Sequence, residues 1–233
     1  MLRIKIMTFN PIGTNCILAW QDGSSTCAVV DPGCRMNKEK EMLVAELEKD
    51  GLTPEAILLT HGHFDHFWGV TFLVRKYGIP VYMDPADKPM VESGGSLLGA
   101  GTAFKVDKDF STTDICDGDV IRAGGVDWKV ISTPGHTPGG VCFYSGDSHV
   151  LLSGDTLFAG TIGRTDLPGG DYDALMDSIL KKVMVLPGDT DVVPGHGPAT
   201  TIAREAMSNP MLQPFNEPIP DWNRDGIGLD GNL

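Results

Sequence analysis

The chain has 233 residues, 41% hydrophobic and 21% charged, and its 18 Lys and Arg face 31 Asp and Glu for a formal net charge of −13. These proportions belong to a globular protein of one large or two small domains. The acidic balance, with no cluster of Lys or Arg, argues against a phosphate-binding face, so no nucleic-acid partner is expected.

The first residues, Met1 to Thr8, alternate like a strand and lack the apolar core and cleavage site of a secretory signal. No uninterrupted apolar run of about 18 residues occurs, so no membrane span or membrane partner is expected. Cys16, Cys27, Cys34, Cys116 and Cys142 are odd in number and form no CxxC pair. They read as buried or indifferent thiols of a cytoplasmic protein rather than a disulfide framework.

Residues 1–31 read as three strands, the second and third joined across an Asp22-Gly23 hairpin turn. Asp31-Pro32-Gly33 stops the sheet. Asn37 is the expected N-cap of a helix running to about Asp50, with Leu43 and Leu47 on its inner face. A buried strand over Glu55–Thr60 leads into His61-Gly62-His63-Phe64-Asp65-His66. A helix over Phe67–Tyr77 follows, apolar at Phe67, Val70, Leu73, Val74 and Tyr77.

A short strand, Val81-Tyr82-Met83, precedes a poorly patterned loop over 84–112 that is rich in Gly between residues 94 and 101. Strands are expected near 120–122, 128–131, 141–144 and 150–152. Asp171 caps an amphipathic helix reaching Val183, and a strand over Asp191–Val193 precedes a last helix near 199–207. The order strands, helices, strands, helices predicts two sheets, each covered by helices on its outer face. Residues 1–212 form the domain, and 213–233 an irregular tail pinned by Phe215 and Trp222.

Four potential metal ligands lie within the hexapeptide, at the turn from a strand into a helix. Three later positions repeat that arrangement. His136 follows Ile131-Ser132-Thr133-Pro134-Gly135, Asp155 follows Leu151-Leu152-Ser153-Gly154, and His196 follows Val192-Val193-Pro194-Gly195. In each, glycine lets the backbone turn sharply at a strand end. Five of the six histidines sit in such turns. The sixth, His149, lies in a surface turn and is left out of the set. Five His and two Asp make a nitrogen–oxygen donor group suited to zinc, iron or manganese. Seven ligands exceed one tetrahedral ion. The natural partition is two divalent ions about 3.5–4 Å apart with one carboxylate bridging.

The His-x-His-x-Asp-His run with a later Gly-His, Gly-Asp and Gly-His resembles the signature of the metallo-β-lactamase superfamily. The stretches Gly163-Arg164-Thr165-Asp166-Leu167-Pro168-Gly169-Gly170-Asp171 and Pro194-Gly195-His196-Gly197-Pro198-Ala199-Thr200-Thr201 resemble its short glyoxalase II-like hydrolases. The resemblance covers residues 1 to about 212 and implies an α/β fold, the αββα four-layer sandwich, with metals at one edge of the sheets. It implies that His61, His63 and His136 bind one metal, that Asp65, His66 and His196 bind the other, and that Asp155 bridges. Longer glyoxalase II enzymes bind glutathione through a C-terminal helical region that has no counterpart here.

The activity so implied is hydrolysis of a small-molecule thioester, S-lactoylglutathione or a related thiol ester, by a metal-bridging hydroxide, with zinc as first choice. Asp65 and Asp155 hold the ions and orient the nucleophile. A thiolate leaving group, whose parent pKa is about 8.5, needs no strong general acid. Arg164 is a candidate substrate contact, or it pairs with Asp166 or Asp171 to fix its loop. The competing activities are a mononuclear-iron persulfide dioxygenase and a lactonase or β-lactamase on the same core. Oligomeric state is not legible in the sequence.

Overall fold

The computed structural model describes residues 1–94 and 106–213. The Gly-rich stretch near residue 100 and the tail from Pro214 lie outside them.

Strands β1 (Leu2–Phe9), β2 (Thr14–Gln21) and β3 (Thr26–Val30) form an antiparallel meander. β4 (Thr53–Leu58), β5 (Val81–Met83) and β6 (Thr113–Asp114) then add to β3 in parallel, completing one six-stranded sheet in chain order. The second sheet holds β7 (Val120–Ala123), β8 (Val126–Ser132), β9 (Val141–Ser145), β10 (Val150–Gly154), β13 (Asp191–Pro194) and β14 (Thr200–Thr201), in the order β14-β13-β10-β9-β8-β7. A small hairpin, β11 (Leu157–Phe158) with β12 (Thr161–Ile162), lies between β10 and the next helix.

The central strands β2, β3, β9 and β10 are buried on both faces and read as apolar runs, whereas β1, β7 and the start of β8 alternate between core and solvent. Successive side chains still divide between layers with period two. Ile17, Ala19, Ala28, Val30, Ala56 and Leu58 share one core with Trp128, Val130, Phe143, Leu152 and Val193 of the other sheet. Cys16, Leu18, Cys27, Val29 and Ile57 point the opposite way, into a core shared with helices α1 (Asn37–Lys49) and α3 (Val70–Tyr77). On the far side Cys142, Leu151 and Val192 pack with Leu175 and Met176 of α5 (Tyr172–Ser178), Ile179 and Val183 of the π-helical turn that extends it, and Ile202 of α6 (Ile202–Ser208). The result is helices, sheet, sheet, helices, the four-layer α/β architecture expected. No described helix is long and apolar enough to cross a membrane, and all five cysteines are free.

Three local expectations need correction. Asn37 is the first residue of α1 rather than its cap. The orphan amides there are met by Glu39, whose carboxylate accepts from the backbone N–H of Arg35 and of Met36. The helix expected over Phe67–Tyr77 is two helices, α2 (Phe64–Phe67) and α3, broken at Trp68-Gly69. The break follows from packing: the Gly69 N–H donates to Pro32 O at 2.7 Å, and a Cβ on Gly69 would lie 2.3 Å from Cys34 Sγ. The expected loop after residue 84 begins instead with a 3₁₀ turn, Pro85–Asp87, and α4 (Lys88–Ser93).

Candidate metal centre

The C-terminal ends of β3, β4, β8, β10 and β13 carry the candidate site. β3 and β4 are parallel, as are β10 and β13, and β9 runs antiparallel between β8 and β10, so β8 shares their direction. Residues that follow these strands therefore gather at one edge. The two sheets are joined there by Asn15 of β2, whose side-chain amide donates to Pro194 O at 3.0 Å and Gly197 O at 2.9 Å.

All seven predicted donors meet at this edge. His61, His63 and His136 offer ligand atoms within 4.8 Å of one another, and so do Asp65, His66 and His196. His66 Nε2, His196 Nε2 and Asp65 Oδ2 form a nearly equilateral triangle, with edges of 3.2, 3.4 and 3.5 Å. Donors about 2.05 Å from a tetrahedral ion are about 3.3 Å apart. His63 Nδ1 faces His136 Nε2 at 3.0 Å. Asp155 reaches both groups: its carboxylate is 3.4 Å from His136 Nε2, 3.5 Å from His196 Nε2 and 3.6 Å from His66 Nε2.

Hydrogen bonds behind the donors fix the ring tautomers. A carboxylate only accepts, so His66 Nδ1–H donates to Asp31 Oδ2 at 3.0 Å. The Thr60 hydroxyl donates to Asp31 Oδ2 at 2.6 Å, so His61 Nδ1–H donates to Thr60 Oγ1 at 3.0 Å. His136 Nδ1–H donates to Arg164 O at 2.7 Å, and His196 Nδ1–H to Gly13 O at 3.2 Å. The Nε2 lone pairs of all four rings are left for the centre, the arrangement that metal-ligating histidines require. His61 Nε2 and Asp155 Oδ1 are buried with no hydrogen-bond partner. Facing nitrogen lone pairs at 3.0–3.2 Å repel unless a cation lies between them. On these grounds the residues fit metal ions. Asp31 also groups with His61 and His66, but it meets them from the Nδ1 side, directly at His66 and through Thr60 at His61, and therefore orients ligands rather than joining them.

The electrostatics carry the same mark. Burial and the crowding of the other histidines hold His61 well below the ordinary imidazole range. Burial and His136 lower His63 to about 3. Burial opposes charge on His66 too, but Asp65, Asp155 and Asp31 overcome it and raise this ring to about 10. For Asp155, burial is outweighed by His66, His196 and His136, which keep its carboxyl well below the usual range.

A cavity of about 520 Å³ opens on the donors. Ile12, Phe64, Phe158, Ile162 and Leu167 line it together with His63, Asp65, His136, Asp155, Arg164 and His196. The Arg164 guanidinium makes two 2.7 Å bonds to the Asp166 carboxylate and is largely exposed. Its partner is thus Asp166, while the Asp171 carboxylate caps α5 by accepting from Ala174 N–H. His149 lies apart, paired with Asp189.

Sequence reasoning missed the supporting groups. Asp31 ends an apolar strand, as Asp155 does, but lacks the preceding glycine that marks His136, Asp155 and His196, so in the sequence it reads only as a sheet stop. Thr14, whose hydroxyl donates to Asp65 Oδ2 at 2.7 Å, and Asp87 carry no sequence signal.

Residues 9–196 match the sequence profile of the metallo-beta-lactamase superfamily. The chain is 35% identical over 217 residues to hydroxyacylglutathione hydrolase GloC of Haemophilus influenzae, covering 91% of this chain and 98% of that one. Among solved structures, the BLEG-1 B3 metallo-beta-lactamase is 37% identical with a TM-score of 0.82, over 90% of this chain and 99% of that chain. TTHA1623, solved in a di-iron-bound form, is 39% identical with a TM-score of 0.79, over 89% of this chain and 100% of that chain.

Proposed function

The chain belongs to the metallo-β-lactamase superfamily as a metallo-hydrolase, and on that premise we propose that it hydrolyses thioesters with two divalent ions. The observation that carries the reading is the pair of donor sets that share Asp155. His61, His63 and His136 would hold one ion, and Asp65, His66 and His196 the other. Zinc is the first choice. The di-iron form of TTHA1623 supports iron as an alternative, and the donor chemistry also admits manganese.

When bound, such ions supply the Lewis acidity that makes hydroxide available near neutral pH and polarises a carbonyl. The chain's own residues do the rest. Asp65 and Asp155 supply negative charge against the cations, and the Thr14 hydroxyl holds the Asp65 carboxylate in one orientation. Asp31, Thr60, Gly13 and the Arg164 carbonyl keep four imidazoles in the tautomer that presents Nε2. Ile12, Phe64, Phe158, Ile162 and Leu167 shield the reacting carbonyl from bulk water.

Thioester chemistry suits this site because of what lines it. Apart from the ligand set and the Asp166-paired Arg164, the described lining residues are apolar and offer no general acid. An amine leaving group needs such an acid, whereas a thiolate, with a parent pKa of about 8.5, departs without one. The similarity to a hydroxyacylglutathione hydrolase points the same way.

The test is zinc or iron reconstitution followed by assay with S-lactoylglutathione and simple aliphatic thioesters. Turnover should rise with metal content up to two ions per chain. A chain carrying two ions that turns over no thioester overturns the reading. β-Lactam hydrolysis is the second reading, favoured by the likeness to BLEG-1; it replaces the first if the same preparation cleaves nitrocefin with the larger kcat/KM. One bound iron per chain with oxygen uptake on glutathione persulfide assigns a dioxygenase instead.

A further inference from the structure

Asp87 is fully buried at the end of the 3₁₀ turn Pro85–Asp87 and belongs to neither donor set. Its carboxylate accepts two backbone N–H bonds, one on each oxygen. Gly62 N donates to Oδ2 at 2.8 Å, and Gly139 N donates to Oδ1 at 2.6 Å. Gly62 lies between His61 and His63. Gly139 lies three residues beyond His136. A Cβ would lie 2.8 Å from Asp87 O if placed on Gly62 and 2.7 Å from Asp87 N if placed on Gly139, so both loops press against this one residue. Burial raises the Asp87 carboxyl, while the Thr137 hydroxyl and the Gly139 and Gly62 amides oppose the rise.

The amides that Asp87 accepts from sit beside the three-histidine set: Gly62 is flanked by His61 and His63, and Gly139 follows His136 by three residues, whereas Asp65 and His66 stand on α2 and His196 follows β13. We propose that Asp87 is the positioning residue of the three-histidine set: by holding the hexapeptide loop and the His136 loop on its two oxygens, it sets the separation of those three ligands and thereby the affinity for one ion of the pair. The proposal rests on the two-set reading above. It is independent of what substrate the centre attacks.

An isosteric carboxamide cannot do the same work. Asp87→Asn offers one accepting oxygen and turns an NH₂ group toward the other amide, so one loop is released. Glutamate keeps the charge but is longer by a methylene at a site with no spare room.

The experiment measures zinc affinity by competition with a chromophoric chelator in two backgrounds. In His196→Ala the three-histidine set remains intact; in His136→Ala the other set does. Asp87→Asn should weaken zinc binding about 10- to 100-fold in the first background and less than twofold in the second. Equal weakening in both backgrounds, or none in either, overturns the proposal. A wild-type chain that binds fewer than two ions overturns instead the reading beneath it.

A second measurement needs no substitution and covers the case in which Asp87→Asn does not fold. In the metal-free wild-type chain the Gly62 and Gly139 amides should exchange with solvent as slowly as core strand amides and at matching rates. Addition of one equivalent of zinc should slow both together. Exchange of either at the rate of an exposed loop refutes the staple.

Discussion

Replacing Asp31 with Asn tests how far the donor set depends on the groups behind it. Asp31 adopts a left-handed backbone, φ +48°, which Asn tolerates, so the fold itself accepts the change. The native carboxylate is 1% exposed and accepts three bonds, from Thr60 N at 2.8 Å on Oδ1 and from Thr60 Oγ1 at 2.6 Å and His66 Nδ1 at 3.0 Å on Oδ2. Asn has one oxygen. If that oxygen stays on the Thr60 amide, the NH₂ group faces Thr60 Oγ1 and His66 Nδ1. His66 must then place its proton on Nε2, and the Thr60 hydroxyl turns to donate to His61 Nδ1, which moves the His61 proton to Nε2 as well. Both rings lose the lone pair that would face an ion. If instead the amide flips to keep the tautomers, the buried Thr60 N–H loses its acceptor, at a cost of about 1–3 kcal/mol. Bound metal therefore demands the costly orientation, and affinity should fall by about five- to 150-fold. In the metal-free chain the charged His66–Asp31 bond is also lost, about 2–3 kcal/mol, or a Tm lower by roughly 4–12 °C for a chain of this size. The assays are zinc titration against a chelator and calorimetry of the metal-free protein. Affinity within twofold of wild type together with a Tm within about 1 °C would refute the tautomer argument.

Other perturbations reach the centre from different sides. Gly195→Ala would put a Cβ 2.3 Å from Asp155 Oδ1 and 2.7 Å from His66 Cε1; zinc stoichiometry should drop below two per chain, and retention of two ions with native turnover would show that the loop can yield. The metal-free chain should be most stable near neutrality. His61 and His63 are held neutral in the fold, so stability falls as pH drops below about 6.5, where the unfolded rings take up protons. His66 has the opposite sign. Raised to about 10, its contribution is complete below about 6.5 and is lost as pH climbs through 10. Tm measured from pH 5 to 10 in a chelating buffer checks this, and a flat profile contradicts it. Thiol titration with Ellman's reagent should find one reactive cysteine in the native chain. Burial pushes Cys27 and Cys34 up to about 12, Cys142 to about 11 and Cys16 well above its ordinary value, while exposed Cys116 bonds to Asp119 and is raised more modestly. Two or more fast-reacting thiols would contradict the burial.

The sequence by itself determined the donor set and the layering. A ligand after a Gly-terminated strand is a local pattern, repeated at His136, Asp155 and His196, and the apolar runs of β2, β3 and β10 announce strands buried on both faces. Local chemistry wrote these features, so local reading recovers them. The break at Gly69 could not be read, because the periodicity of Phe67 to Tyr77 continues across it. What stops the helix is the loop of Pro32 and Cys34, more than 30 residues earlier. Asp31 lay in view at a strand end, but its role appears only when His66 and Thr60 are placed against its carboxylate. Asp87 had no signal at all, since the two amides it accepts from are 25 and 52 residues away. Tertiary structure decided most of the hydrogen bonds behind the ligands, because a tautomer is set by the acceptor at the far side of the ring: Thr60 is next to His61 in the chain, but Asp31, Gly13 O and Arg164 O reach His66, His196 and His136 from distant segments.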